Sequence, residues 1–181
     1  QVALELKKRV ESFKSVVLPE QGRDERPFLI GHPEVSWTQI PARDGTAHGG
    51  IKRSNKFPNC SYFTNWKKTE DYVAWEVMVG KAGTYEVDLW YVCPKRDLGS
   101  KIVLSCGEES ISKNITTPND PPMVGMQEDR SPRTESYVKA FKPMKMGRIK
   151  LRAGQSELRL QAVKIPGEQA MEFRLLMLKR I

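Results

Sequence analysis

The sequence predicts a mainly β protein: an antiparallel β-sandwich of jelly-roll type with one N-terminal α-helix. Apolar and polar residues alternate in run after run from Asp71 to Met177, and Gly or Pro punctuates most of the gaps between runs. No helical periodicity interrupts that series, and half-buried strands without crossover helices close as packed antiparallel sheets. At 181 residues, with 39% hydrophobic and 29% charged side chains, the chain is long enough to bury one good core.

Residues 2 to 18 read as an amphipathic helix. Ala3, Leu6, Val10, Phe13 and Val17 recur at helical spacing, Glu5, Lys7, Lys8, Arg9, Glu11 and Lys14 cover the rest, and Pro19 ends it. That apolar stripe needs a cover, either the sandwich or another domain. The chain enters this pattern directly at Gln1, with neither an initiating Met nor a signal-peptide pattern, so residue 1 is expected to be a cut inside a longer protein. A Pro/Gly-rich connector follows, which divides the chain into 1–34, helix and connector, and 35–181, the sandwich.

Val35 to Ile40 is expected as an edge strand. Val73, Trp75, Val77 and Val79 alternate with Ala74, Glu76 and Met78; after a turn at Lys81-Ala82-Gly83, Tyr85, Val87, Leu89 and Tyr91 alternate with Glu86, Asp88 and Trp90. Further strands are expected around Ile102 and Leu104, Ile111, Tyr137 to Phe141, Ile149 and Leu151, Leu158 to Ala162, and Met171, Phe173, Leu175 and Met177. The total is about eight or nine. The expected core comprises Val73, Trp75, Val77, Val79, Leu104, Leu158, Leu160, Phe173 and Leu175. Thr116 to Arg133 is too long and polar for a hairpin turn and is read as either functional or disordered, serving as an interdomain contact if the domain is purely structural.

Charge narrows the partner. Thirty Lys and Arg against 22 Asp and Glu leave +8, which suits an anionic polysaccharide or an acidic protein surface. Basic and acidic residues are interspersed and no nucleic-acid signature is present, so no nucleic acid is expected. No run of 18 apolar residues exists, so no membrane partner is expected. Three cysteines without C-x-x-C spacing and two histidines argue against zinc, while the positions of Cys60 and Cys93 permit a disulfide. The motifs G-x-S-x-G, H-E-x-x-H, G-x-G-x-x-G and the P-loop are all missing, and no carboxylate pair stands out as acid and base. Binding rather than catalysis is the expectation.

The candidate binding residues lie in two tracts. Between Ala42 and Trp66, a Gly/Pro/Asn-rich stretch displays His48, Lys52, Arg53, Tyr62, Asn65 and Trp66. Tyr62 and Trp66 either stack on a sugar ring or fill the core; Lys52 and Arg53 either donate to sulfate or carboxylate groups or are solvated loop charges. Before the strand SYVKAF, Asp129, Arg130 and Arg133, with Glu128 and Glu135, form either a salt-bridge network ordering the long loop or the second half of the site. Trp75 is expected in the core. Trp90 is either an exposed platform or packed on the second face.

Several of these segments carry a resemblance. The tract PARDGTAHGGIKRSNKFPNCSYFTNW, the hairpin VAWEVMVGKAGTYEVDLWYVCP, the loop NDPPMVGMQEDRSPRTESYVKAFKPMKMG and the tail LRLQAVKIPGEQAMEFRLLML resemble the C-terminal accessory domain of bacterial sulfatases of the arylsulfatase type. The hairpin alone is also similar to family 6 carbohydrate-binding modules. The sulfatase resemblance implies a periplasmic or secreted parent enzyme that uses calcium and a formylglycine made within C/S-x-P-x-R. That pattern is missing here: Cys93 begins CPKR and Ser131 begins SPR. The implied role is a non-catalytic, cofactor-free module that binds a sulfated or otherwise anionic polysaccharide or completes the cleft of its own sulfatase catalytic domain. The alternative is a structural domain that only packs on that catalytic domain.

Overall fold

The computed structural model describes residues 2–17, 26–56, 61–131, 137 and 139–181. Helix α1 spans Val2–Val17. The strands that follow are β1 Phe28–Ile30, β2 Trp37–Pro41, β3 Thr46–His48, β4 Lys52–Arg53, β5 Phe63–Thr64, β6 Tyr72–Val79, β7 Gly83–Val92, β8 Lys101–Cys106, β9 Glu109–Asn114, β10 Lys142–Leu151, β11 Gly154–Lys164 and β12 Glu172–Arg180.

They form two six-stranded sheets. One runs β1-β6-β11-β8-β9 with β3 also on β6; the other runs β10-β7-β12-β5-β4 with β2 also on β12. All pairings are antiparallel except β1 with β6. The period-two pattern explains the layering. Val73, Trp75, Val77 and Val79 face inward with Leu158, Leu160, Ile102 and Leu104, against Tyr85, Val87, Leu89 and Phe173 from the second sheet, all essentially inaccessible.

The structure departs from the sequence reading, or narrows it, at five places. Strand β1 lies in the stretch read as connector, and its Ile30 is fully buried, so the sandwich takes in residues upstream of Val35. Leu175 faces outward, because a bulge between Phe173 and Leu175 shifts the register and turns Leu176 and Leu178 into the core instead. Tyr137 and Lys139 to Phe141 are not strand; side chains hold this segment, Asn119 donating its amide to the Ala140 carbonyl at 3.0 Å and Lys139 its ammonium to Glu172 at 2.8 Å. The ladder starts at Lys142. Among the described residues the sandwich does not cover the stripe of α1, Leu6, Val10 and Phe13 being more than half exposed, which leaves the other expected cover, another domain. Finally, Cys93 is a free, buried thiol, while Cys60 lies outside the described residues.

Candidate functional site

Both sheets have a split edge on the same side of the sandwich. Along β6, β3 pairs with Tyr72 to Ala74 and β1 with Val77 to Val79, leaving Trp75 and Glu76 between them. Along β12, β5 pairs at Phe173 and β2 from Leu175 to Lys179, leaving Arg174 between them. The chain crosses from one sheet to the other here through the short helical turn Ala42–Asp44. The result is a cleft of about 850 Å³ lined by Arg26, Phe28, Arg43, Asp44, Thr46, Arg53, Trp75 and Glu76, among others. It shares Phe28, Arg43 and Asp44 with a recess of about 320 Å³ that adds Arg174.

Local packing sets the shape of this cleft. Gly45 runs against Trp75, and a Cβ there would lie 2.8 Å from the indole, so only glycine lets the turn lie this close. Trp75 is buried, donates its indole N–H to the Pro41 carbonyl at 3.3 Å and meets Phe173 edge-on at 5.9 Å. Arg53 Nη2 donates to the Gly45 carbonyl at 3.0 Å, and its guanidinium carbon is 5.2 Å from the Phe63 ring centroid. Partial burial lowers the Arg53 pKa from its ordinary value, opposed by the charge of Asp44. Arg43 reaches Asp44 at 3.6 Å, and Arg174 donates to the Ser61 carbonyl. Four guanidiniums therefore share the cleft and its recess with two carboxylates, Asp44 and Glu76. Such a lining is chemically suited to anionic groups, because a guanidinium is a planar fork of donors for sulfate or carboxylate oxygens.

The outer face of the first sheet continues the site. Thr46, Ala74 and Arg159 form one cross-strand row; His48, Tyr72 and Gln161 form the next. The His48 and Tyr72 rings stack at 4.2 Å and 12°, and the Arg159 guanidinium lies 4.1 Å from the same Tyr72 centroid. Of the residues expected from sequence, Arg53 and His48 thus belong to this edge. Lys52 is exposed on β4 beside Arg53.

The aromatic expectations are corrected. Trp66 is fully buried and donates its indole N–H to the Asp71 carbonyl at 3.1 Å, so it offers no face to a sugar. Tyr62 is buried, lies 5.2 Å from the Phe141 ring at a tilt, and has its pKa raised by burial and by Glu172, with Lys139 opposing. Asn65 adopts φ 60° and donates its side-chain amide to the Gly50 carbonyl at 2.7 Å, a turn-forming role. Asp129 accepts from the Tyr137 hydroxyl at 2.7 Å, and Arg130 is exposed on the same loop. Arg133 lies outside the described residues. Sequence reading missed Arg26, Arg43, Arg159, Arg174 and Tyr72, since only the split edges and the cross-strand register gather residues this far apart in the chain. Among the described residues no group of three or more His, Cys, Asp or Glu side chains gathers that could hold a metal ion.

No family model matches the chain, and no curated protein does. Solved structures do. A GH26-CBM35 β-(1,4)-mannanase from Podospora anserina matches with a TM-score of 0.55 and 13% identity, over 81% of this chain and 28% of that one. The C-terminal CBM6 of LamC, a marine laminarinase from Zobellia galactanivorans, matches at 0.52 and 8%, over 80% of this chain and 99% of that one. The mosquito-larvicidal Cry4Aa toxin from Bacillus thuringiensis matches at 0.55 and 13%, over 80% and 23%. The chain therefore spans under a third of the mannanase and of the toxin. At these identities the likeness establishes the fold, a jelly-roll sandwich, and nothing beyond it.

Proposed function

We propose that this chain is a non-catalytic glycan-binding module that takes a sulfated or otherwise anionic polysaccharide in the arginine-lined cleft at the split edge. One observation carries the reading: four arginines, Arg26, Arg43, Arg53 and Arg174, line one cleft and its adjoining recess around Phe28. Phe28 supplies an apolar face for a sugar ring, the guanidiniums engage acidic substituents, and Asp44 and Glu76 accept from hydroxyls. The solved carbohydrate-binding modules of the same fold support a glycan as ligand, and the basic lining supports an anionic one. The sequence resemblance supports a parent sulfatase, periplasmic or secreted, whose catalytic domain would hold the calcium and formylglycine; this module would use no cofactor.

A second reading, a structural domain that only braces the catalytic domain, is favoured by the burial of Tyr62 and Trp66. Calorimetry separates the two. The chain titrated with a sulfated, a carboxylated and a neutral polysaccharide should bind the first two, more weakly as salt rises, and Arg43→Ala with Arg53→Ala should weaken binding about tenfold or more. No heat with any of the three leaves the structural reading; equal binding of the neutral polysaccharide removes the anionic one.

A further inference from the structure

The outer face of the second sheet carries a recess of its own. The strand register lines up two cross-strand rows there: Trp37, Lys179, Glu86 and Arg148 across β2, β12, β7 and β10, and Gln39, Met177, Asp88 and Lys145 beside them. A recess of about 300 Å³ opens over these rows, lined by Trp37, Lys179, Glu86, Asp88, Lys145 and Arg148 among others, and it shares no residue with the cleft or with the recess beside Arg174. The bulge in β10 makes the room. It turns Met146 into the core and leaves Gly147 at φ 128°, with nothing within 4 Å of the position a Cβ would take. An L side chain is strained at that φ, so glycine keeps this wall of the recess bare.

Trp37 gives the recess its apolar surface. At 48% exposed it is the most open of the four tryptophans, Trp66 and Trp75 being buried and Trp90 half-buried. The Lys179 ammonium lies 5.2 Å from its ring centroid and holds the indole beside the charged row.

The charges select the ligand. Glu86 and Asp88 lie on β7 in the floor, with cations on both neighbouring strands: Arg148 donates to Glu86 at 2.9 Å, Lys179 stands opposite Glu86, and Lys145 stands opposite Asp88. A sulfate or carboxylate laid across this floor meets two like charges, which is costly at contact, and a cationic group meets Lys145, Arg148 and Lys179. Hydroxyls suit both kinds of neighbour, because each can donate to a carboxylate and accept from an ammonium or guanidinium.

We propose that this recess is a second glycan site, which takes an uncharged sugar residue with its ring on Trp37 and its hydroxyls on Glu86, Asp88 and Lys145. The site rests on the glycan reading for its class of ligand but not on the arginine cleft. One stacked ring and a few exposed hydrogen bonds give about millimolar affinity.

The test follows the amide and indole NMR resonances of the full chain as hexaoses of β-linked glucose, mannose, galactose and xylose are each added to about 10 mM. At least one hexaose should shift the Trp37 indole N–H together with the amides of Glu86, Asp88 and Lys179, equally at low and high salt, since no ligand charge is screened. Trp37→Phe should keep most of the affinity, Trp37→Ala should weaken it about tenfold and Asp88→Asn about threefold, with urea unfolding little changed because these side chains lie on the outer face. No shift at Trp37 with any hexaose overturns the proposal, and so does unchanged affinity in Trp37→Ala; the titration with sulfated polysaccharide then judges the cleft by itself. Shifts confined to residues around Arg43 and Arg53 overturn this site while leaving a glycan-binding module. Stronger, salt-dependent shifts of the Trp37 row with a sulfated hexaose than with its neutral counterpart overturn the uncharged ligand. Shifts at Trp37 in a chain that binds no sulfated or carboxylated polysaccharide would uphold this site and remove the cleft reading.

Discussion

Trp66 and Arg53 stand thirteen positions apart in one polar tract and do opposite work. Trp66 closes the core under the Asp71 carbonyl, while Arg53 leans out over Phe63 into the cleft. Trp66→Ala should therefore cost about 3–5 kcal/mol of stability in urea unfolding, as a large core truncation, and affect glycan affinity only through folding. An aromatic before a strand looks the same in sequence whether it faces core or solvent. What separates the two cases is the inward turn that Asn65 makes at φ 60° just before Trp66, a backbone feature that residue type does not reveal. Cys93 gives a pH prediction. Burial, then Asp97 and Asp120, push its thiol up to about 11, from an ordinary value near 9. The unfolded chain ionises first, so this contribution is fully present below about pH 9 and is lost as pH rises toward about 11, at roughly 1.4 kcal/mol per pH unit. Burial also raises Tyr62, Tyr85 and Tyr91, with the same sign. Urea unfolding between pH 8 and 11 under reductant should show a falling stability whose slope becomes shallower in Cys93→Ala; an unchanged slope would show that the thiol does not contribute.

At the scale of elements, what was legible followed from the length of unbroken alternation. Strands β6 and β7 repeat inward apolar residues over eight and ten residues, which fixes both their type and their faces. Strand β12 is as long but hides a bulge, so the alternation that runs correctly through Phe173 points Leu175 the wrong way. Strand β1 has only three residues beside prolines, too few for a period, and its pairing is made by β6 rather than by any local signal. Ile30→Ala should nonetheless destabilise the protein by about 2–5 kcal/mol, because the side chain is fully buried. Helix α1 is the converse, a strong period with no cover among the described residues. Deleting residues 2 to 17 should change the unfolding free energy by less than about 0.5 kcal/mol. A larger loss in denaturant titration would mean that the helix packs on the sandwich in solution.

At the scale of the whole molecule, the proposed glycan site at the split edges and the net charge of +8 would act on different steps of recognition. Long-range charge raises the encounter rate with a polyanion, and it does so from any part of the surface. If the cleft takes a polyanion as proposed, its arginines would work at contact distance, holding the acidic groups and so governing release. Lys113 on β9 belongs to the opposite edge of the first sheet, away from the cleft, and is exposed. Lys113→Ala should therefore slow association with a sulfated polysaccharide slightly at low salt, leave dissociation unchanged, and lose its effect as the Debye length falls below about 10 Å near 0.1 M salt. Arg53→Ala should instead speed dissociation several-fold, and that difference should persist where screening has removed the effect of Lys113, because a charge pair in direct contact and covered by the bound polysaccharide is screened less than a distant one. Surface-immobilised polysaccharide and a salt series resolve the two rates. If Arg53→Ala changes only association, and does so with the same salt dependence as Lys113→Ala, then Arg53 acts as one more surface charge and the cleft is not where the glycan is held.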